Sequence, residues 1–330
     1  MTSPRIRDID MKFFYLSLLL IISLLLALSI GVEDVSVKSA WQDPDSLARM
    51  LLLDVRLPRV ILGGLVGMAL AVSGVAFQAL LRNPLADPYI LGVSGGAALG
   101  SVLALGLHLP FTFVPLLSFA AALTAMVLIY FLAQVKGRLH PHTLLLVGVL
   151  FNTTTFSLIL FINALVSLED LHRIWFLMVG SLEAIEWGRL AWVALLVFLG
   201  TGILFYDASA LNLITLGEES AGLLGVDVER VRRRVFFAAS LMIGATVSVS
   251  GLVGFVGLAV PHMIRLLFGS DYRLVLPASA IGGASFLILA DLIARVGFSH
   301  ERFQTQLPVG VVTALIGAPL FFYLLKRKGA

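Results

Sequence analysis

The stretch from Arg56 to Gly100, RLPRVILGGLVGMALAVSGVAFQALLRNPLADPYILGVSGGAALG, leaves this chain few ways to fold. Two arginines flank Pro58, an apolar run follows, and the run breaks at Arg82-Asn83-Pro84. It then resumes with Gly92, Gly96 and Gly100 spaced by one helical turn. Pro58 suits the first turn of a helix, where an N–H has no intrahelical partner to lose. About twenty apolar residues rising ~1.5 Å each cross a hydrocarbon core of roughly 30 Å. The spaced glycines leave one helix face bare, so another backbone can approach closely inside lipid. The stretch therefore reads as a membrane helix, a polar break, and a second, tightly packed helix.

A second run opens at Arg234-Val235 and carries Ser250-Gly251 much as the first carries Ser73-Gly74. Pro261, Arg265 and Arg273 punctuate it, and Gly282-Gly283-Ala284 restores the small residues. Membrane helices share a Gly/Ala/Ser/Val vocabulary, so composition alone accounts for part of this recurrence. A true repeat of opposite orientation would be a transporter architecture, with the pathway between its halves.

Composition extends the membrane reading to the whole chain. Of 330 residues, 59% are hydrophobic and 13% charged, and the mean hydropathy is +1.01. A soluble domain does not look like this. The net charge of +3 gives no reason to expect a nucleic-acid partner. There is no cysteine, which excludes disulfides and thiol chemistry.

In chain order, Arg5, Arg7 and Lys12 precede a first apolar run, 13–32, too long for a signal-peptide core and expected to be retained. A polar segment, 33–55, holds Glu33, Asp34, Asp43, Asp45 and Asp54, with a turn at Asp43-Pro44. Further spans are expected at about 57–81, 89–107, 112–134 and 142–165, the last rich in Asn, Thr and Ser. A wetter stretch, 166–189, precedes a sixth span at about 190–206. The longest hydrophilic island, 207–234, comes next. Four more spans are expected at about 235–250, 254–269, 275–296 and 307–325. The expectation is thus an all-α polytopic membrane protein: one transmembrane domain over 1–330 with ten helices, spans 2–5 repeated upside down as spans 7–10.

The positive-inside rule orients these spans. With the N-terminus inside, fifteen of the 23 Lys and Arg residues fall in cytoplasmic segments and eight outside, which favours both termini in the cytoplasm. The second span then runs inward and the seventh outward.

Within the island, Gly217 and Gly225 bracket seven residues able to form a short surface helix with Glu218, Glu219, Ala221, Gly222 and, just beyond, Val226. Spacing alone is equally compatible with a solvated loop or a knob for a cytoplasmic partner. No G-x-x-x-x-G-K-[ST] occurs, so this chain has no Walker A nucleotide site of its own.

The segments RLPR, AVSGVAFQALLRNPLADPYILGVSGGAALG, GEESAGLLGVDVERVR, GFVGLAVPHMIRLLFG, LILADLIAR and QLPVGVVTALIGAPLFFYLL closely resemble the FecCD-type permeases. These are the membrane subunits of ABC importers for iron-siderophores, haem and cobalamin. The resemblance runs from Arg56 to Leu325 and implies ten helices per subunit in the bacterial cytoplasmic membrane. It implies a second permease subunit, expected to be a copy of this chain, two cytoplasmic ATPase subunits, and a substrate-binding protein outside. No cofactor is expected, and lipid is the remaining partner. Siderophore is the first expectation for the cargo, with cobalamin and haem close behind.

The resemblance also places residues. Arg56, Arg59 and Arg295 stand where the family's arginines meet acidic residues on the binding protein; planar Arg–carboxylate pairing suits that task. Snorkelling to lipid headgroups would also put arginines there. Glu218 through Val226 match the segment that fits a cleft on the ATPase. Asn83 and Leu85, with His142 and Thr143, fall where the family narrows its pathway on the cytoplasmic side. Asn152, Thr155 and Asn163 would line the passage, although membrane-embedded hydroxyls also bond back to their own helix.

Asp291 lies one helical turn before Arg295, and a pair positioning that arginine is favoured over a proton relay. His108, His140, His142, His172, His262 and His300 show no metal-ligand spacing, and His140-Pro141-His142 reads as a turn. Two rival classes stand beside the importer. A proton-coupled secondary transporter would need several buried acids or histidines, and Asp291 is nearly alone. A membrane enzyme would need a cluster of nucleophile, base or metal ligands, which the sequence does not supply.

Overall fold

The computed structural model describes residues 4–31, 46–297 and 307–328. Glu33, Asp34, the Asp43-Pro44 turn, Asp45 and His300 lie outside the described residues. The helices are α1 (Pro4–Ser29), α2 (Leu47–Leu80), α3 (Val93–Gly106), α4 (Val114–Leu132) and α5 (Pro141–Asn163). They continue with α6 (Leu168–Val179), α7 (Trp187–Tyr206), α8 (Ala208–Leu216), α9 (Glu218–Leu223) and α10 (Val228–Ser250). The last three are α11 (Val256–Phe268), α12 (Tyr272–Val296) and α13 (Val309–Lys328).

Among the described residues, six helices, α1, α2, α4, α5, α7 and α12, are long and apolar enough to cross a membrane, while α3, α11 and α13 contain shorter apolar stretches. α10 opens with Glu229, Arg230 and Arg232 to Arg234 before turning apolar. A two-residue antiparallel pair, β1 (Gln134–Val135) and β2 (Arg138–Leu139), caps the turn before α5.

α2 is the axis of the fold. From Val60 to Leu80 it is buried at nearly every position, and α7, α10, α11 and α12 surround it. The small residues of its sequence make that enclosure possible. At Gly67 a Cβ would come within 2.2 Å of the Gly283 carbonyl oxygen of α12, and a Cβ on Gly283 would meet the Gly67 oxygen at 2.3 Å. Backbone lies on backbone at this crossing. The expected stripe on α3 acts similarly, with Gly96 and Gly100 against the Ala121 and Leu117 carbonyls of α4. By contrast, α1 and α5 leave most of their apolar side chains uncovered, as helices facing lipid or a partner do.

Several boundaries differ from expectation for identifiable reasons. α1 starts well before residue 13, helped by the Asp8–Lys12 pair at 2.7 Å one turn apart. α2 starts at Leu47, where the Ser46 side chain accepts the Arg49 N–H, and passes through one widened turn, Leu51–Arg56. The wet stretch 166–189 contains α6, capped by Ser167, whose hydroxyl accepts from the Asp170 N–H and donates to its carboxylate. The island contains α8 as well as α9. Gly217 and Gly225 bracket α9 as expected, both in left-handed backbone. The two Ser-Gly pairs are not equivalent: Gly74 lies inside α2, whereas Gly251 ends α10.

Candidate functional site

At one end of the bundle, Arg59 and Arg295 converge on Asp291, and Arg56 lies beside them against α1. Arg59 reaches the carboxylate from α2, its Nε donating to Oδ1 at 3.2 Å and its Nη2 to the same oxygen at 2.9 Å. Arg295, one turn along α12, approaches the other oxygen at 3.0 Å. The expected Asp291–Arg295 pair is therefore present, and Arg59 joins it across the helix interface. Arg56 Nη1 donates to the Leu28 carbonyl at 3.2 Å, and Arg295 Nη2 to the Ala27 carbonyl at 3.4 Å. Those carbonyls belong to the last turn of α1, which has no intrahelical donors left to satisfy them. These side chains are enclosed: Arg56 is 7% and Arg295 4% exposed. The carboxylate and the α1 carbonyls draw the guanidinium groups inward.

In the middle of the bundle, α3 and α5 border an open groove of about 400 Å³ lined by Tyr89, Ser94, Gly95, Asn152, Thr155 and Leu252 among others. Asn152 donates to the Tyr89 carbonyl at 2.8 Å, holding α5 against the single turn that precedes α3. Thr153, Thr154, Thr155 and Ser157 each donate back to the carbonyl four residues earlier. Thr155 is buried at the floor of the groove, and Asn163 is half-buried near the far end of α5. The polar run is thus largely satisfied within its own helix, leaving an uncharged surface. Tyr89 also ties the chain halves together, its hydroxyl accepting the Val253 N–H at 2.9 Å.

At the opposite end, α9 stands out from the body, with only Ala221 buried among its six residues. Glu219, Gly222 and Gly225 are exposed and Val226 half-buried, its N–H closing onto the Ala221 carbonyl at 3.0 Å. Glu218 bridges two guanidinium groups, those of Arg82 at 3.2 Å and Arg232. Burial opposes ionisation of Glu218. The Arg232 hydrogen bond and the charges of Arg232, Arg82 and His140 outweigh it, holding the carboxyl below its ordinary range. Arg232 Nη1 also donates to the Leu139 carbonyl at 3.4 Å, and Glu229 accepts the Leu139 N–H at 3.0 Å. Arg234 is engaged by Asp207, its Nε donating to Oδ2 at 2.9 Å. Two members of the basic run are therefore internal ties and not solvated charges.

Beside α9 lies the Arg82–Leu85 turn. Arg82 has φ +48°, the left-handed conformation that usually goes to glycine at a helix end. Holding an L side chain there costs about 1–2 kcal/mol. The Asn83 N–H returns to the Gln78 carbonyl at 3.1 Å, and its side chain accepts the Leu85 N–H at 2.9 Å. Leu85 is exposed. His142 and Thr143 occupy the first turn of α5 beyond Pro141, the first exposed and the second half-buried. Arg82, Arg232 and Glu229 were not singled out from sequence; Arg82 beside Asn83-Pro84 carried a signal only as a turn.

Among the described residues, no group of three or more His, Asp or Glu side chains could hold a metal ion. The architecture is that of a polytopic α-helical permease, with a polar groove between an arginine cluster and a projecting helix. Comparison with known proteins makes this specific. Residues 19–327 match the FecCD transport family, and the chain belongs to it, as a permease subunit of the ABC-importer class. An ABC transporter permease of Bacillus subtilis, YvrB, is 44% identical over 86% of this chain and 81% of its own length. The hemin transport system permease HmuU of Yersinia pestis is 37% identical over 95% of each chain. A metal-chelate type ABC transporter solved in an inward-facing conformation superposes with a TM-score of 0.85 at 31% identity, covering 95% of this chain and 98% of that one.

Proposed function

We propose that this chain forms half of the passage of an ATP-driven importer that brings a metal chelate across the bacterial cytoplasmic membrane. α1 to α5, α7 and α10 to α13 make ten crossings, with both termini in the cytoplasm. A second copy of the chain faces the α3–α5 groove, and the paired grooves form the channel. An uncharged lining suits a bulky chelate that must slide without being held. Ferric siderophore is the first choice of cargo. Haem and cobalamin follow, the latter named for the import permease BtuC of Halobacterium salinarum, 41% identical over 85% of this chain. Asn83, Leu85, His142 and Thr143 close the inner end. Arg56, Arg59 and Arg295 recruit the binding protein. Arg59 and Arg295 flank the Asp291 carboxylate and Arg56 lies on the same face, a basic group whose field steers acidic lobes there although the side chains are enclosed.

The observation that carries the reading is α9: on a chain without a nucleotide motif, Leu223 and Leu224 stand 89% and 66% exposed beside Glu218 and Glu219. Burying a leucine fully is worth ~1.5–3 kcal/mol, so this knob has much to gain from a cleft on an ATPase. The test is titration of the separately purified ATPase against the permease in nanodiscs. Leu223→Ser with Leu224→Ser should weaken assembly by about tenfold or more. Wild-type assembly by the double variant would remove α9 from the interface. The cargo is identified by mass spectrometry of what the cognate binding protein retains on purification.

A further inference from the structure

We infer that Arg82 and Arg232 are positioning residues that transmit displacement of α9 to the two inner constrictions separately. The inference rests on the reading of α9 as the ATPase contact. Glu218, the first residue of α9, is the common point of two arms. One arm is the 3.2 Å pair with Arg82, one peptide bond from Asn83, whose side chain in turn holds the Leu85 N–H. The other arm passes through Arg232, whose guanidinium contacts Glu218 and the Leu139 carbonyl together. Leu139 is gripped on both sides, since its N–H is held by Glu229 of the same helix. The next residue, His140, caps α5 and receives the Leu144 N–H at 2.8 Å, so Leu139 leads directly into the turn bearing His142 and Thr143.

Two features separate this from ordinary surface pairing. Arg82 keeps a side chain at a left-handed helix end, where glycine would be the unstrained residue. α9 buries one side chain in six residues, Ala221. Glu218 gives a movement imposed on α9 a direct side-chain route to both turns. Removing that carboxylate also leaves two cations, Arg82 and the enclosed Arg232, without the charge between them.

The chain has no cysteine, so single substitutions at the two constrictions report independently. Leu85→Cys and Thr143→Cys would be introduced one at a time and the permease assembled with its ATPase in nanodiscs. Labelling by a hydrophilic maleimide is compared between nucleotide-free and vanadate-trapped complexes. Arg82→Gln should cut the nucleotide-dependent change at Leu85→Cys by about fivefold while sparing Thr143→Cys, and Arg232→Gln should do the reverse. ATP hydrolysis should continue in both, and Arg82→Lys should recover much of the response. General loosening would move both reporters together, and that outcome overturns the two-arm arrangement, as does an unchanged Leu85→Cys response in Arg82→Gln. Should Arg232→Gln fail to assemble, the more exposed Arg82 decides the matter alone. No nucleotide response at either reporter in the otherwise native chain would instead remove the ATPase reading of α9, and this inference with it.

Discussion

Asp291 shows how much a single side chain does in this protein. It is 2% exposed and compensated by Arg59 from α2 and Arg295 from its own helix. Replacing one member of a buried ion pair costs about 3–5 kcal/mol, because the remaining charges are left uncompensated. Asp291→Asn should therefore lower the unfolding temperature of the detergent-purified protein sharply, read by intrinsic fluorescence. ATP-driven uptake by whatever protein remains folded should be indifferent to collapse of the proton gradient. Dependence on the gradient would favour the proton-relay alternative. Glu218 makes an opposite kind of prediction. Its folded pKa is depressed below 4.5, so the stabilisation it gives is present above that value and is lost as pH falls through the folded pKa. ATPase stimulation by the assembled permease should accordingly be flat between about pH 6 and 8, and Glu218→Gln should reproduce at neutral pH the state reached only in acid.

At the scale of helices, the crossing of α2 and α12 sets the spacing of the core. Gly67→Val places its Cβ about 2.2 Å from the Gly283 oxygen, a contact that only a shift of backbone can relieve. Overpacking of this kind costs ~1–3 kcal/mol. Gly202→Ala on α7 is the matched control, since nothing lies within 4 Å of its new Cβ. Alanine gains about 1 kcal/mol over glycine within a helix, so this variant should be neutral or more stable. Thermal denaturation of the pair should move in opposite directions. Equal losses would mean that glycine content, and not close approach, explains these positions. The elements that escaped the sequence reading, α6 and α8, are short and amphipathic. The Ser167 to Asp170 cap of α6 was visible in the letters, but a hydropathy argument weights long apolar runs and passes over such helices.

For the molecule as a whole, the arrangement of the two ends is the property most open to test. Leu107 is 65% exposed just past α3, and Leu223 is 89% exposed on α9, at opposite ends of the bundle in the proposed orientation. In the cysteine-free chain, Leu107→Cys should label with a membrane-impermeant maleimide on intact spheroplasts. Leu223→Cys should label only after lysis. The reverse pattern would turn the permease over, and with it the direction of transport.

Much of this protein was decided within its sequence. Long apolar runs admit only helices that satisfy their own backbone, and lipid enforces this wherever water is absent. The polar breaks, Pro58 at a helix start and the glycines around α9 follow from local backbone chemistry, and the ordered motifs identified the family. What tertiary structure alone decided is which partners the charged residues take. Arg59 and Asp291 are 232 residues apart, and Arg232 and Leu139 93 apart. Such pairings depend on which helix faces meet, and an apolar helix buried on every side carries no periodicity from which to read its facing. That is why the inward folding of the outer arginines and the ties from Glu218 toward the inner constrictions became visible only in three dimensions.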